Sequence, residues 1–448
     1  GRTRERAADA LAAADLDRSA TTYLGPGDPL DCECIGPEQS HELLGTTRAA
    51  LVVDCHERCE PNALGRVVGT VAGGGLLLLL APPLDAWPDR RDAFDETLAV
   101  PPFDLAAVTG HFRRRLVATL RAHRGIAIVD VDSGQIESEG LAPRAPNLSA
   151  TPVPEPEPSD RAFPAMAYEA CLTRDQHDAL VAFERLREPE TALVVEADRG
   201  RGKSSVAGLA AAALAIEGRD VLVTAPQYRS ARELFARASE LLGDCDALVD
   251  RDRNARPRYL ETAGGAVRFC EPATAAELPG DPDRVFVDEA AALPVGLLRS
   301  LLRAESLAFT TTVHGYEGAG RGFTVRFREQ LADSRHEVTE VTLAEPIRYA
   351  AGDPVEVWAF RALALDARPP VEELVADATP ETVTYRTLPP ETLLADEQLL
   401  REVFGLLVLA HYRTEPNDLA RVLDAPNVTV HALLADGHPV SVALLARE

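Results

Sequence analysis

The chain has 448 residues, 46% hydrophobic and 26% charged, the composition of an ordinary globular protein of roughly three domains. No stretch reaches the ~18 uninterrupted apolar residues of a membrane span: the leucine run at residues 76–80 is five residues long and is closed by Pro82 and Pro83. Acidic residues number 71 against 46 basic ones, a net charge of -25, and all the basic residues but Lys203 are arginines. Such acidity fits a chain kept hydrated in strong salt, or a GC-rich genome. It does not exclude RNA, because local arginine clusters bind phosphate whatever the global charge.

In chain order, residues 1–143 alternate apolar runs at 51–53, 76–80 and 126–131 with helix-like stretches at 62–71 and 112–123. That rhythm predicts a small three-layer α/β domain. Seven cysteines, an odd number with no secretory signal ahead of them, predict reduced thiols and a cytoplasmic protein. Cys32, Cys34, Cys55, His56 and Cys59 are spaced too irregularly for a zinc module, so packing is the reading. His111 to Arg115 is the densest basic run, and Arg113, Arg114 and Arg115 are candidates for an RNA backbone unless they only offset nearby carboxylates. Residues 144–164, rich in proline and acidic side chains, read as a semi-extended linker.

A second β/α domain follows over 165–366, with strands predicted at 192–195, 221–225, 285–287 and 307–313. Residues 367–427 read as a helical connector with a long helix at 397–412. Two strand-like runs, 428–434 and 440–446, meet at the hairpin signal Asp436-Gly437. A lone hairpin is marginal, so the native chain is expected to continue.

The chemistry concentrates in the second domain. An apolar strand at 192–195 runs into Ala197-Asp198-Arg199-Gly200-Arg201-Gly202-Lys203-Ser204 and then into an alanine-rich helix. Strand, glycine loop and helix come in the order of a phosphate cradle. Curled N–H groups and the helix N-terminus face the phosphates, Lys203 reaches them, and the Ser204 hydroxyl ligates magnesium. Ala197 replaces the usual first glycine, yet the only lysine stands where the pattern demands one. About 85 residues on, residues 285–287 lead into Asp288 and Glu289. Asp288 would hold the magnesium shell and Glu289 would orient or deprotonate the attacking water. Gln176 is a candidate adenine contact, and His314 and Arg321 in a glycine-rich loop are candidate γ-phosphate sensors. Arg348 is a candidate for neutralising phosphate charge.

Residues 197–204, Asp288-Glu289-Ala290-Ala291, the 312–318 segment, Pro346-Ile347-Arg348-Tyr349 and the 410–419 segment together resemble the tRNA(Met) cytidine acetyltransferase family. The resemblance implies an N-terminal α/β domain, a RecD-like ATPase module of the RecA type, and a GCN5-related acetyltransferase domain. It implies ATP contacts from Gln176, Gly200, Arg201, Gly202, Lys203, Ser204, Ser205 and Arg348, with Mg2+. The implied reaction is acetylation of N4 of the wobble cytidine of elongator methionine tRNA, with no obligate protein partner. The pyrophosphate turn of such acetyltransferases is absent after Val428, so residues 428–448 resemble only the opening hairpin of that domain and the acetyl-CoA site is expected beyond Glu448. Two alternatives stay open: a stand-alone nucleic-acid translocase, for which 367–427 looks too short and too helical to be a second motor domain, and a non-hydrolysing RNA-binding scaffold clamped by ATP.

Overall fold

A computed structural model describes residues 2–16, 18–27, 29–43, 46–140, 161–198, 200–251, 257–312, 327–410 and 414–447. The chain forms two compact units, Gly1–Leu148 together with Gly352–Glu448, and Ser149–Ala351.

The first unit opens with helix α1 (Arg2–Ala13) and strands β1 (Thr21–Leu24), β2 (Glu33–Ile35), β3 (Arg48–Asp54) and β4 (Val71–Leu80). These form a parallel sheet in the order β2-β1-β3-β4. Side chains alternate across a strand, and β3 shows what this does. Ala50 and Val52 pack with Tyr23 and with Ala7 and Leu11 of α1. Leu51 and Val53 pack on the other face with Leu64 and Val67 of α2 (Pro61–Val68) and with Phe112 and Leu116 of α3 (His111–Ala122). The expected three layers are therefore present. The apolar run at 126–131 does not join this sheet. It supplies β5 (Ala127–Val129), which among the described residues pairs only with β6 (Ile136–Glu139), in a hairpin where Val129 is 54% exposed.

The described end of the expected linker is already packed: Phe163 is buried, and the Arg161 guanidinium lies 5.8 Å over the Tyr168 ring. The second unit contains α4 (Arg174–Phe183), β7 (Thr191–Ala197), α5 (Lys203–Ile216), β8 (Asp220–Thr224), α6 (Tyr228–Asp244), β9 (Asp250–Arg251), β10 (Tyr259–Glu261), β11 (Ala266–Phe269), β12 (Arg284–Val287), β13 (Ser306–Thr312) and β14 (Glu337–Leu343). Their order is β14-β7-β13-β12-β8-β11-β10-β9, parallel from β14 to β11. The strand β7 is apolar on both faces because both are covered. Leu193 and Val195 face the layer of α4, α5 and α6, while Ala192 and Val194 face Leu298 and Leu331. Chain order reverses around β7, so its carboxyl end opens into the crevice where sheets of this kind bind ligands.

The chain then returns to the first unit with α7 (Pro354–Leu363), β15 (Thr384–Leu388), α8 (Glu397–Ala410), α9 (Pro416–Asp424), β16 (Val428–Ala435) and β17 (His438–Ala446). By packing, the division between the two units falls at 351/352, ahead of the end expected for the ATPase domain at 366. Trp358, Ala362, Val403, Leu419 and Leu423 share one core with α2 and α3, so these helices finish the first unit. Two capping interactions fasten them. Asn62 and Asn417 exchange hydrogen bonds between side-chain oxygen and backbone N–H at 2.9 and 2.8 Å, joining the starts of α2 and α9. Asp424 accepts the N–H groups of His111 at 2.6 Å and Phe112 at 3.2 Å, capping α3 from a distant part of the chain. The Asp436-Gly437 turn has φ of 47° and 90°, the doubly positive geometry of a tight hairpin. That hairpin is not alone. β15 pairs with β16, and Val430, Ala432 and Leu434 are buried in the same core as α8 and α9.

Candidate nucleotide site

The carboxyl end of β7 leads through residues 198–202 into Lys203, the first residue of α5. Gly202 has φ +82°, a backbone conformation that demands glycine, and a Cβ there would lie 2.1 Å from Gln176 Nε2. Gln176 is almost fully buried; its Nε2 donates to Gly202 O at 3.3 Å and its Oε1 accepts Leu172 N–H at 2.8 Å. The structure thus brings Gln176 to the phosphate loop, with its amide engaged by backbone.

Across from the loop, the end of β12 supplies the two carboxylates. Lys203 Nζ donates to Glu289 Oε1 at 2.6 Å, and Ser204 Oγ donates to Asp288 Oδ1 at 3.0 Å. Thr310 also donates to Asp288, and Thr312 Oγ1 donates to Glu289 Oε2 at 2.9 Å. These threonines alternate on β13, which lies beside β12 with Val287 opposite Phe309. Glu289 sits at φ +52°, a left-handed conformation that non-glycine residues adopt only where surroundings hold them. Burial pushes the Asp288 carboxyl up to about 6, the neighbouring Glu289 charge adds to this, and Lys203 with the two hydroxyls opposes it. Asp288 Oδ2 is buried with no hydrogen-bond partner among the described residues.

No group of three or more metal-ligating side chains occurs among the described residues. Magnesium bound with a nucleotide needs only one or two protein oxygens, the rest being water and phosphate. The Ser204 hydroxyl and the free oxygen of Asp288 suit it.

The segment after β14 closes the site. Ile347 N–H donates to Gly200 O at 3.0 Å, and a Cβ on Gly200 would lie 3.9 Å from Arg348 Nη1. Arg201 is buried, its Nη1 3.4 Å from the Tyr349 hydroxyl and its guanidinium 5.9 Å from that ring centre. Ser205 is buried in the first turn of α5. Gln176, Gly200 to Ser205, Asp288, Glu289 and Arg348 therefore come together, while His314 and Arg321 lie outside the described residues. Thr310 and Thr312 as carboxylate partners, and Asp175, were not singled out in sequence; only strand order shows that β13 neighbours β12.

Two of the three candidate RNA-binding arginines, Arg113 and Arg115, are a correction. Arg113 is buried and paired with Asp92 at 2.8 Å and Asp95 at 2.7 Å. Arg115 is buried, its Nη2 2.8 Å from Glu397 Oε1. Arg114 alone of the three is exposed, with Nη1 3.0 Å from His111 Nδ1. The run is amphipathic, and the helix turns two of its three charges inward toward carboxylates.

A glycine loop between a central parallel strand and a buried helix, faced by two carboxylates from another strand, defines a P-loop nucleotide-binding module. Residues 194–366 match the family RNA cytidine acetyltransferase NAT10/TcmA, helicase domain, and residues 3–131 match tRNA(Met) cytidine acetyltransferase TmcA, N-terminal. Proteins called tRNA(Met) cytidine acetyltransferase TmcA in Haloarcula marismortui and Haloferax volcanii are 61% and 59% identical, covering 100% and 99% of this chain and 58% and 59% of their own lengths. The chain therefore spans rather more than half the length of these relatives. The namesake in Pyrococcus abyssi is 38% identical over 91% of the chain and 51% of its own length. A solved large terminase from a thermophilic bacteriophage shares 13% identity over 42% of this chain and 49% of its own, with a TM-score of 0.33, too remote to inform function. The chain belongs to the tRNA(Met) cytidine acetyltransferase family.

Proposed function

We propose that the second unit binds and hydrolyses Mg2+-ATP as part of a cytoplasmic enzyme that acetylates N4 of the wobble cytidine of elongator methionine tRNA with acetyl-CoA. The observation that carries the ATP reading is the pairing of the only lysine, Lys203, with Glu289, beside Ser204 and Asp288. When ATP enters, a γ-phosphate oxygen takes the place of the Glu289 carboxylate at Lys203 Nζ, a charge-assisted contact that also releases Glu289. Glu289, held through Oε2 by Thr312, then accepts a proton from the water that attacks phosphorus. The bond from the γ-phosphorus to the bridging oxygen breaks, and ADP leaves. Mg2+ bound at Ser204 and Asp288 would neutralise charge on the β- and γ-phosphates. Arg348, beside Gly200, supplies the further positive charge that the transferring group needs.

The acetyl-transfer step, in which the cytidine amine attacks the thioester carbonyl and the CoA thiol departs, is assigned to the length of the relatives that this chain does not span. No helix among the described residues is long and apolar enough to cross a membrane. The test is ATP hydrolysis by this chain with magnesium, with and without an unmodified methionine tRNA transcript. Magnesium-dependent turnover that the transcript accelerates supports the reading. Nucleotide binding without turnover would favour an ATP-clamped scaffold instead.

A further inference from the structure

The first turn of α4 touches both walls of the nucleotide site through adjacent residues. Thr173 Oγ1 accepts Gln176 N–H at 3.2 Å and starts the helix, and Gln176 then holds the phosphate loop at Gly202. Its neighbour Asp175 reaches the other way. A single carboxylate oxygen, Asp175 Oδ2, accepts the N–H groups of Ala344 at 2.6 Å and Glu345 at 2.8 Å. Those two residues follow the last residue of β14, Leu343, which lies opposite Ala197 at the end of the phosphate-loop strand. Here the chain must leave the sheet and turn over the loop, and the end of a strand offers these N–H groups no ladder partner. Two residues further, Ile347 N–H bonds Gly200 O, and Arg348 and Tyr349 come to lie beside Gly200 and Arg201.

Building on the nucleotide reading above, we propose that Asp175 is a positioning residue for ATP: by binding both N–H groups of the 344–345 turn it holds Arg348 at the phosphate loop. Its carboxylate touches neither nucleotide nor metal, and acts through the backbone it fixes. Both bonds to a charged acceptor are of the strong kind, and Asp175 also stands in the first turn of a helix, where negative charge is favoured. The same turn of α4 therefore sets the loop, through Gln176, and the arginine, through Asp175, in one frame. Misplacement of a charged group by about an ångström is enough to lose much of its effect on a transferring phosphate.

The experiment compares the wild-type chain with Asp175→Ala, Asp175→Asn, Arg348→Ala and the Asp175→Ala/Arg348→Ala double variant. It measures binding of a fluorescent ATP analogue and the kcat and KM of magnesium-dependent hydrolysis. Asp175→Ala should raise KM for ATP by about tenfold or more, and Asp175→Asn, whose amide oxygen still accepts both N–H groups, should recover most of the loss. The double variant should be no worse than Arg348→Ala, because both changes remove the same arginine from the site. Amide exchange at Ala344 and Glu345 should be slow in the wild type and fast in Asp175→Ala. Where the alanine variant does not fold, Asp175→Ser, too short to reach both groups, replaces it. An Asp175→Ala KM within about twofold of wild type, or losses that multiply in the double variant, would overturn the inference while leaving the ATP site intact. A wild-type chain that neither binds nor hydrolyses ATP would instead remove the nucleotide reading itself.

Discussion

Asp288 sets the pH response of the site. Its carboxyl is raised from an ordinary value of 3.8 to about 6, chiefly by burial, so the folded chain holds the proton more tightly than the unfolded chain does. The group's contribution to stability is then fully present below about pH 4 and is lost as pH rises through 6. Magnesium requires the ionised form, so its affinity should rise over that same interval and level off above it. Titrating magnesium against the nucleotide-bound chain at pH 5, 6 and 7 checks this; a flat profile would show that Asp288 is ionised throughout. At Glu289 a different outcome is expected. Glu289→Gln keeps the size and the Thr312 contact but loses the base, so nucleotide binding should survive while hydrolysis slows by about a hundredfold. Binding and single-turnover measurements separate the two. Arg113 belongs to stability, not to RNA. Arg113→Ala leaves Asp92 and Asp95 without their buried partner and should cost about 3–5 kcal/mol, read from denaturant unfolding of the first unit.

Among the elements, α9 is the one whose role depends most on distant partners. Asp424 at its end caps α3, and burial pushes that carboxyl up to about 6 against the opposing hydrogen bonds from Thr109, His111 and Phe112. Asp424→Ala orphans two buried N–H groups and should destabilise the unit by about 2 kcal/mol. Asp424→Asn keeps an acceptor without the charge, so its stability relative to wild type should improve as pH rises through 6; thermal unfolding at pH 5 and pH 8 measures this. The same element shows where sequence reading stops. The phosphate loop and the Asp288-Glu289 strand end were legible because their chemistry lies in consecutive residues bounded by apolar runs. Continuous apolar runs likewise announced β3, β7 and β13. The strand β14 was not legible, since its Glu-Val-Thr repeat, Glu337 to Thr342, has a period of three and carries little hydrophobic signal. Nor was β15, exposed along four of its five residues. Asn62 with Asn417, Arg115 with Glu397, and Asp175 with the 344–345 turn join residues far apart in sequence, and no local pattern announces such partners. The basic run on α3 misled for the same reason: its charge was visible, while the carboxylates awaiting it were not.

For the whole molecule, a net charge of -25 makes any tRNA contact depend on local positive surface and on salt. Tight association at low ionic strength should therefore weaken as salt rises, and ATP turnover without RNA should change much less. The two compact units divide the work in the proposal, the second providing nucleotide chemistry and the first a scaffold completed by the returning helices α7, α8 and α9. The central claim, that Lys203 and the carboxylates facing it form a working ATPase site, is tested most directly by steady-state ATP hydrolysis of the wild-type chain against Lys203→Ala. The account predicts magnesium-dependent turnover in the wild type and a loss of about a hundredfold or more in the variant, with the fold unchanged by circular dichroism. Equal turnover in the two proteins would contradict it.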